Sequence, residues 1–294
     1  MGYTAATSKA RWLAFALVPV GMLALGGCSQ EHLDQWGRVG YPEAITDRAP
    51  WMGNLWVGTW IAAMVVGVFV WGLMAYVVVK FRRRADEDKP RQTQYNLPLE
   101  LLYTVVPLFI ISVLFFFTVQ AQDAVQAKVA TPTHTVNVVA SKWSWTFNYM
   151  ENANSKVSAV VHEAGTIETI PDLYLVINEP VRINLTSADV DHSFWVPQFY
   201  YKLDVLPGHP NSFDVTPTKE GVYLGKCAEL CGTYHSNMLF NLHVVSQAEF
   251  DAKMSALKAA GQTGEIKAPD YTSVVTVPTL SLIHISEPTR RTPI

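Results

Sequence analysis

The chain has 294 residues, of which 49% are hydrophobic, and a formal net charge of -3. Its long uncharged runs indicate that part of the chain lies in lipid. The small net charge, and the lack of basic runs interleaved with aromatic residues in the C-terminal half, exclude a nucleic-acid-binding protein.

The N-terminal residues are typical of a secretory signal. Lys9 and Arg11 precede an uncharged run that is short for a membrane span. The run ends in Leu-Gly-Gly before Cys28, which resembles a lipobox, the bacterial lipoprotein cleavage site. We expect residues 1–27 to be a lipoprotein signal peptide and Cys28 to be a lipid anchor that begins an outer segment, residues 28–50. The alternative is a buried or incidental thiol.

Two later uncharged runs are long enough to cross a bilayer. We predict transmembrane helices at residues 51–80 and 99–122, joined by a loop at residues 81–98. This loop contains the cluster Arg82 to Arg84, and clustered Lys and Arg mark the cytoplasmic side. Everything after residue 122 is therefore expected on the extracytoplasmic face. Two buried helices of a soluble protein are the alternative, which the preceding signal peptide disfavours.

The following region has short β-branched and aromatic runs separated by turn residues, which predict an all-β sandwich or barrel at residues 130–247. The predicted strands cover residues 135–140, 143–150, 173–177, 181–186, 211–215, 221–226 and 239–245. Ser246 and Glu249 form a capping box. One amphipathic helix is expected at residues 248–261, packed on the β domain, followed by a linker at residues 262–279.

The last residues, 280–294, have no structural pattern. Their sequence resembles an in-frame translation of a transposase sequencing adapter. We predict that the natural protein departs from this sequence near Leu280 and that the tail is an artefact without function. Resequencing the gene across this junction would test the prediction.

The most informative motif combines Cys227, Cys231, His235 and Met238 with the upstream His192. Two thiolates, two imidazoles and a thioether suit copper, whereas hard ions prefer carboxylates and water. A single blue-copper centre needs only one cysteine, so the second cysteine could let two thiolates bridge two copper ions. The alternative is a Cys227–Cys231 disulfide, since thiols outside the cell tend to oxidise.

These residues, the paired helices and the aromatic run around Trp143 resemble cytochrome c oxidase subunit II. The resemblance implies a membrane α-hairpin with two transmembrane helices, plus an all-β cupredoxin-like domain. It also implies a binuclear copper centre, CuA. Its metal ligands would be the side chains of the cysteines, histidines and methionine above, with the backbone carbonyl of Glu229.

The resemblance assigns three further roles. The Glu229 side chain would face a magnesium or manganese ion at the boundary with subunit I, although a solvated loop carboxylate is the alternative. Trp143 would receive electrons from cytochrome c, although from spacing alone Trp145 is an equal candidate. Glu100 would lie at the inner end of a proton path into subunit I, unless it is an ordinary interfacial carboxylate.

The function implied is that of the electron-accepting subunit of a bacterial cytochrome c oxidase in the cell membrane. Reduced cytochrome c, soluble or tethered, would dock outside, where acidic residues outnumber basic ones and could attract a basic partner. Electrons would pass by way of Trp143 to the copper pair and then to haem in subunit I, where oxygen is reduced and protons are pumped. Subunits I and III and membrane lipid are the implied partners. The alternatives are a copper-delivery lipoprotein and a copper-free structural subunit of a quinol oxidase.

Overall fold

The computed structural model describes residues 30–82, 92–151 and 159–269, which form two compact units. The first unit contains the described residues up to Glu43 and those from Gly53 to Thr118. The second contains Ala44–Met52 and the described residues from Val119 onward. The predictions of a signal peptide, a lipidated Cys28 and a C-terminal artefact fall outside the described residues.

The N-terminal half is helical. A short helix, α1, spans Gln30–Gly37, and two long helices follow, α2 at Ala49–Lys80 and α3 at Leu97–Gln126. Both long helices are long and apolar enough to cross a membrane, with a mean hydropathy of 2.4 over their most apolar stretch. Asn96 caps α3, because its side-chain oxygen accepts a hydrogen bond from the N–H of Leu99 at 3.3 Å.

The β domain is a sandwich of two five-stranded sheets. Its strands are β1 His134–Ser141, β2 Ser144–Tyr149, β3 Val161–Ala164, β4 Asp172–Val176, β5 Val181–Ser187, β6 His192–Val196, β7 Tyr201–Val205, β8 Asn211–Val215, β9 Gly221–Cys227 and β10 Leu239–Val245. The first sheet has the order β3-β2-β1-β5-β8 and the second has β4-β10-β9-β6-β7. The β1–β5 and β10–β4 pairs are parallel, and the other pairs are antiparallel.

Aromatic side chains fill the space between the sheets. The ring of Phe240 lies across Gly225 on the neighbouring strand, a position where only glycine leaves room for the ring. Phe240 stacks on Phe194, with ring centroids 4.9 Å apart, and meets the edge of Trp145 at 5.6 Å. All three aromatic side chains are almost completely buried. Such close-packed aromatic pairs give the domain a rigid core.

A segment that precedes the membrane helices also belongs to the β domain. Ile45 is fully buried in the core between the sheets. Its N–H donates to the carbonyl of Gln198 at 3.3 Å, and its carbonyl accepts from the N–H of Thr218 at 2.8 Å. Thr46 forms a β-bridge with Pro217. The domain is therefore assembled from two stretches of chain separated by the helical hairpin.

The last described helix, α4, spans Gln247–Ala259. The capping box is present, because Ser246 accepts from the N–H of Glu249 and the Glu249 carboxylate accepts from the N–H of Ser246. Its buried side chains, Phe250, Met254 and Leu257, belong to the core of the β domain.

The predicted fold class, two membrane helices and an all-β cupredoxin-like domain, is confirmed. Three strands were not predicted, β3, β6 and β7. Each has only four or five residues, and β6 is buried on both faces except at Trp195, so it lacks the alternation that marks a strand.

Candidate metal centre

The residues of the predicted copper motif meet at one end of the second sheet. His192 begins β6 and Cys227 ends β9, and these two strands pair side by side at Phe194 and Cys227. The loop after Cys227 then folds back so that Met238 precedes β10. The N–H of Cys227 donates to the carbonyl of Met238 at 3.0 Å, which closes this loop. The candidate centre is therefore formed by the ends of β6 and β9 and by the loop that this hydrogen bond closes.

The potential donor atoms surround two sulfur atoms. The Sγ atoms of Cys227 and Cys231 lie 3.8 Å apart. The Cys227 sulfur is 3.8 Å from Nδ1 of His192 and 3.2 Å from the carbonyl oxygen of Glu229. The Cys231 sulfur is 3.5 Å from Nδ1 of His235 and 3.8 Å from Sδ of Met238. All five predicted side-chain ligands and the predicted carbonyl are thus brought together.

Burial makes the donor set suitable for a soft metal. His192 and Met238 are fully buried, and the two cysteines are nearly so. The ligand atoms of His192, Cys227 and Cys231 all lie within 4.8 Å of one another. Sulfur and imidazole donors in an enclosed site favour copper over hard ions. The residues therefore fit a copper centre.

The two thiols are separate in this structure. A disulfide bond is about 2.05 Å long, whereas these sulfur atoms are 3.8 Å apart and both cysteines are free. The pair is arranged as two independent sulfur donors and not as a cross-link.

The two cysteines differ in acidity. Burial disfavours the Cys227 thiolate, but hydrogen bonding to His192 and to the backbone at Glu229 and Ser193 outweighs burial and lowers the pKa of Cys227 to about 7. Burial and the nearby charge of Cys227 raise the pKa of Cys231 to about 12. One thiolate therefore forms near neutral pH, and the second forms only when a cation compensates its charge.

Asp189 orients one of the predicted ligands and was not singled out from the sequence. Its carboxylate accepts hydrogen bonds from Nε2 of His192 at 2.8 Å and from the N–H of Lys142 at 2.7 Å. With Nε2 bonded in this way, Nδ1 is the ring nitrogen left to face the sulfur atoms. Burial raises the pKa of Asp189, but these hydrogen bonds outweigh it and the pKa is lowered. An acidic residue three positions before a candidate ligand was the available signal.

The two candidate tryptophans occupy different environments. Trp145 is fully buried, and its Nε1 donates to the carbonyl of Met238 at 3.4 Å. Trp143 is half-buried at the surface, and its Nε1 donates to the carbonyl of Cys231 at 3.1 Å. Gly232, with a φ of +117°, brings its backbone against the Trp143 ring, where a Cβ atom would lie 3.3 Å from the indole. Both tryptophans donate a hydrogen bond to the segment from Cys227 to Met238, but only Trp143 does so from the surface.

The other predicted residues lie apart from the sulfur atoms or contribute only backbone. The Glu229 side chain is exposed, while its carbonyl faces Cys227. Glu100 lies in the first turn of α3, where its carboxylate accepts from the N–H of Asn96 at 2.9 Å. Glu100 therefore has a helix-capping role whatever else it does.

Comparison with known proteins places the chain among respiratory proteins. Residues 134–245 match the family described as "Cytochrome C oxidase subunit II, periplasmic domain", and residues 36–121 match "Cytochrome C oxidase subunit II, transmembrane domain". A "Probable cytochrome c oxidase subunit 2" of Streptomyces avermitilis is 43% identical over 274 residues, which cover 82% of this chain and 85% of the relative. The "Cytochrome c oxidase subunit 2" of Corynebacterium glutamicum is 36% identical over 300 residues, covering 82% and 83%.

A solved structure gives a more partial match. The periplasmic domain of subunit II of cytochrome oxidase from Bradyrhizobium japonicum is 26% identical, with a TM-score of 0.40. The match covers 45% of this chain and 99% of that domain.

Proposed function

Because the chain belongs to the cytochrome c oxidase subunit II family and is a subunit of a haem–copper oxidase, we propose that it accepts electrons from cytochrome c at a binuclear copper centre. The observation that carries this proposal is the pair of thiol sulfurs 3.8 Å apart, with imidazole, thioether and carbonyl donors around them. The chain is a membrane protein whose C-terminal domain is extracellular. A bacterial cell membrane is the proposed location.

The proposed ligands are Cys227, Cys231, His192, His235 and Met238, with the Glu229 carbonyl. These residues would hold a binuclear copper centre, which would supply one-electron transfer chemistry at this site. The protein holds the side chains of the proposed ligands in fixed positions. His192 is held by Asp189, the loop ends are joined through Cys227 and Met238, and the aromatic core lies beneath. Such preorganised positions need little rearrangement when charge arrives.

Trp143 is the proposed point at which electrons reach the centre. Its half-buried ring is packed edge-on against the exposed Tyr234, with centroids 5.1 Å apart, and its indole N–H contacts the backbone of Cys231. This gives one short hydrogen-bonded connection from the surface to a proposed ligand. Trp145 is enclosed by protein, so a docked partner would not reach it. The donor is proposed to be a soluble or tethered cytochrome c.

Two partner subunits and two further sites complete the proposal. Subunit I would take electrons from the copper centre to its haem, where oxygen is reduced and protons are pumped, and subunit III would accompany it. The exposed carboxylate of Glu229 suits a hard ion, magnesium or manganese, at the boundary with subunit I. Glu100, at the cytoplasmic end of α3, would lie at the start of a proton path.

The proposal is tested by loading the full-length chain, purified in detergent, with copper. We expect two copper ions per chain that share one unpaired electron, seen as hyperfine splitting from both nuclei in electron paramagnetic resonance. Cys231→Ser is the matched control and should give splitting from a single copper nucleus. One copper per wild-type chain, or none, would overturn the proposal.

Glu100 needs a test that separates charge from helix capping. Glu100→Gln retains an oxygen that can accept from the N–H of Asn96, whereas Glu100→Ala does not. In the assembled oxidase, both variants should slow proton uptake if the carboxylate carries protons. If only the alanine variant is impaired, Glu100 acts as a helix cap alone.

A further inference from the structure

Helix α1 presents an apolar face that none of its described neighbours covers. Leu33 and Trp36 are 52% and 78% exposed. They are three residues apart, so they project from the same side of the helix. Asp34 is turned by about 100° from Leu33 and about 200° from Trp36, which places it on another side. A soluble surface seldom carries a tryptophan this exposed beside a leucine.

The chain after α1 is fixed to the first membrane helix. The ring of Tyr41 stacks on Trp56, with centroids 4.9 Å apart and planes 6° from parallel. The Trp56 indole N–H also donates to the carbonyl of Val39 at 3.1 Å. Val39 is two residues beyond the end of α1, so these contacts hold α1 at about the level of Trp56.

The level of Trp56 follows from the length of the membrane core. Lys80 ends α2 beside further basic residues and marks the cytoplasmic boundary. The hydrocarbon core takes about 20 helical residues, and counting back from Lys80 reaches Trp60. Trp56 is one turn farther out, in the headgroup region of the outer leaflet. Trp and Tyr are enriched at this level of membrane proteins.

We infer that α1 lies flat in the outer membrane surface and inserts Leu33 and Trp36 among the lipids. A helix at headgroup height with one apolar side and one charged side has the features of an interfacial membrane helix. The occupant of this face is therefore bilayer lipid, and α1 acts as an attachment separate from the two spanning helices. This role does not depend on the copper centre.

The inference is tested with nitroxide spin labels at Leu33→Cys, Trp36→Cys and, as the control on the other side of α1, Asp34→Cys. The full-length chain is studied within the oxidase in lipid nanodiscs, and the label bound by the unsubstituted protein is subtracted. The measured quantity is the collision rate of each label with oxygen, which concentrates in lipid, relative to a water-soluble nickel chelate. An intact copper signal shows that each variant is folded.

We expect a several-fold higher oxygen-to-nickel ratio at positions 33 and 36 than at position 34. Equal ratios at the three positions, or a lipid signature at only one of positions 33 and 36, would overturn the inference. Protection of both labels from both reagents would also overturn it, since another oxidase subunit would then cover this face. If the copper signal is normal but the labels at positions 33 and 36 do not lie in lipid, this inference is rejected and the proposed function is unaffected.

Discussion

The carboxylate of Asp189 accepts a hydrogen bond from Nε2 of His192 at 2.8 Å. The same carboxylate accepts from the N–H of Lys142 at 2.7 Å, directly before Trp143 in the chain. One side chain thus orients a proposed metal ligand and also the backbone next to the proposed electron-accepting tryptophan. The proposed site therefore includes Asp189, which is not itself a proposed ligand.

Asp189→Asn should weaken copper binding. The substitution removes the charge that strengthens the hydrogen bond from His192, and loss of such a partner typically lowers metal affinity about 10-fold or more. Competition with a copper chelator measures the change. Asp191→Asn is the matched control, because Asp191 is exposed and next to His192, and the variant loses the same charge. Equal affinities of the two variants would contradict the orienting role.

Trp143→Phe should slow reduction of the copper centre by cytochrome c. The variant keeps an aromatic ring but loses the indole N–H that contacts the Cys231 carbonyl. A barrier increase of about 1.4 kcal/mol would slow the step about 10-fold. Stopped-flow absorbance measures the rate. Trp195→Phe is the control, since Trp195 is half-buried and packs against Lys226 instead of a proposed ligand. Similar rates in both variants would place electron transfer elsewhere.

Copper binding should become tighter as pH rises, because both thiols must lose their protons. Between about pH 7 and pH 9, Cys227 with its pKa of about 7 is mostly ionised and Cys231 with its pKa of about 12 is protonated. One proton is then displaced, so the affinity should rise about 10-fold per pH unit. At lower pH, Cys227 and His192 also hold protons that copper must displace, so the dependence should steepen. Burial opposes protonation of His192, but its hydrogen bonds to Cys227 and Asp189 outweigh burial and raise its pKa.

Proton release on copper addition in weak buffer provides an independent check of that prediction. The Cys231→Ser variant should release about one proton fewer than the wild type at pH 8, since Cys231 is the thiol that remains protonated. Identical release from both proteins would mean that Cys231 is already ionised.

Asp214→Asn should destabilise the β domain. Asp214 is almost fully buried and accepts two hydrogen bonds from Arg182, at 2.9 and 2.8 Å, and one from the N–H of Val129 at 2.7 Å. Asn removes the charge but keeps one acceptor, and Arg182 is partly exposed, so the loss should be about 2 kcal/mol, as for a hydrogen bond to a charged group. Denaturant unfolding followed by tryptophan fluorescence measures the loss. Asp204→Asn, at an exposed carboxylate, should change stability little.

The effect of Asp214→Asn should also depend on pH. Burial opposes ionisation of Asp214, but Arg182 and the N–H of Val129 outweigh it and lower the pKa of this carboxyl. A lowered folded-state pKa adds stability above the unfolded pKa of about 3.9, and this stability is lost as pH falls through the folded value. The difference between wild type and variant should therefore be full at pH 7 and shrink below about pH 4. A constant difference would exclude the charge as its cause.

Much of the proposed site could be predicted because its chemistry is local in sequence. Cys227, Cys231, His235 and Met238 lie within one loop, and their side-chain types alone limit the metal. His192 was also found, although it lies 35 residues before Cys227. Its position depends on the pairing of β6 with β9, and β6 itself was not predicted. The sequence therefore named the proposed ligands without predicting the strand that positions one of them.

Other features depend on the folded surroundings of each side chain. Spacing left Trp143 and Trp145 as equal candidates, because residues two apart on a predicted strand lie on the same face. In the structure Trp143 lies in the turn before β2, which begins at Ser144. The structure separates them by burial. Asp189 looked like one of several surface acids until its contact with His192 was known. Burial decides the first case, and a side-chain hydrogen bond between residues three apart decides the second.

The buried position of Ile45 has a consequence for how the protein is made. This residue is translated before both membrane helices, yet its side chain completes the core of a domain that is translated after them. The domain can close only when both ends of the hairpin have been exported to the same side. Its folding therefore depends on correct insertion of both helices, and a hairpin inserted with one end left behind would leave a gap in the core. A soluble fragment that starts after the second helix would have the same gap, so an excised domain should carry Ala44–Met52 joined through a linker.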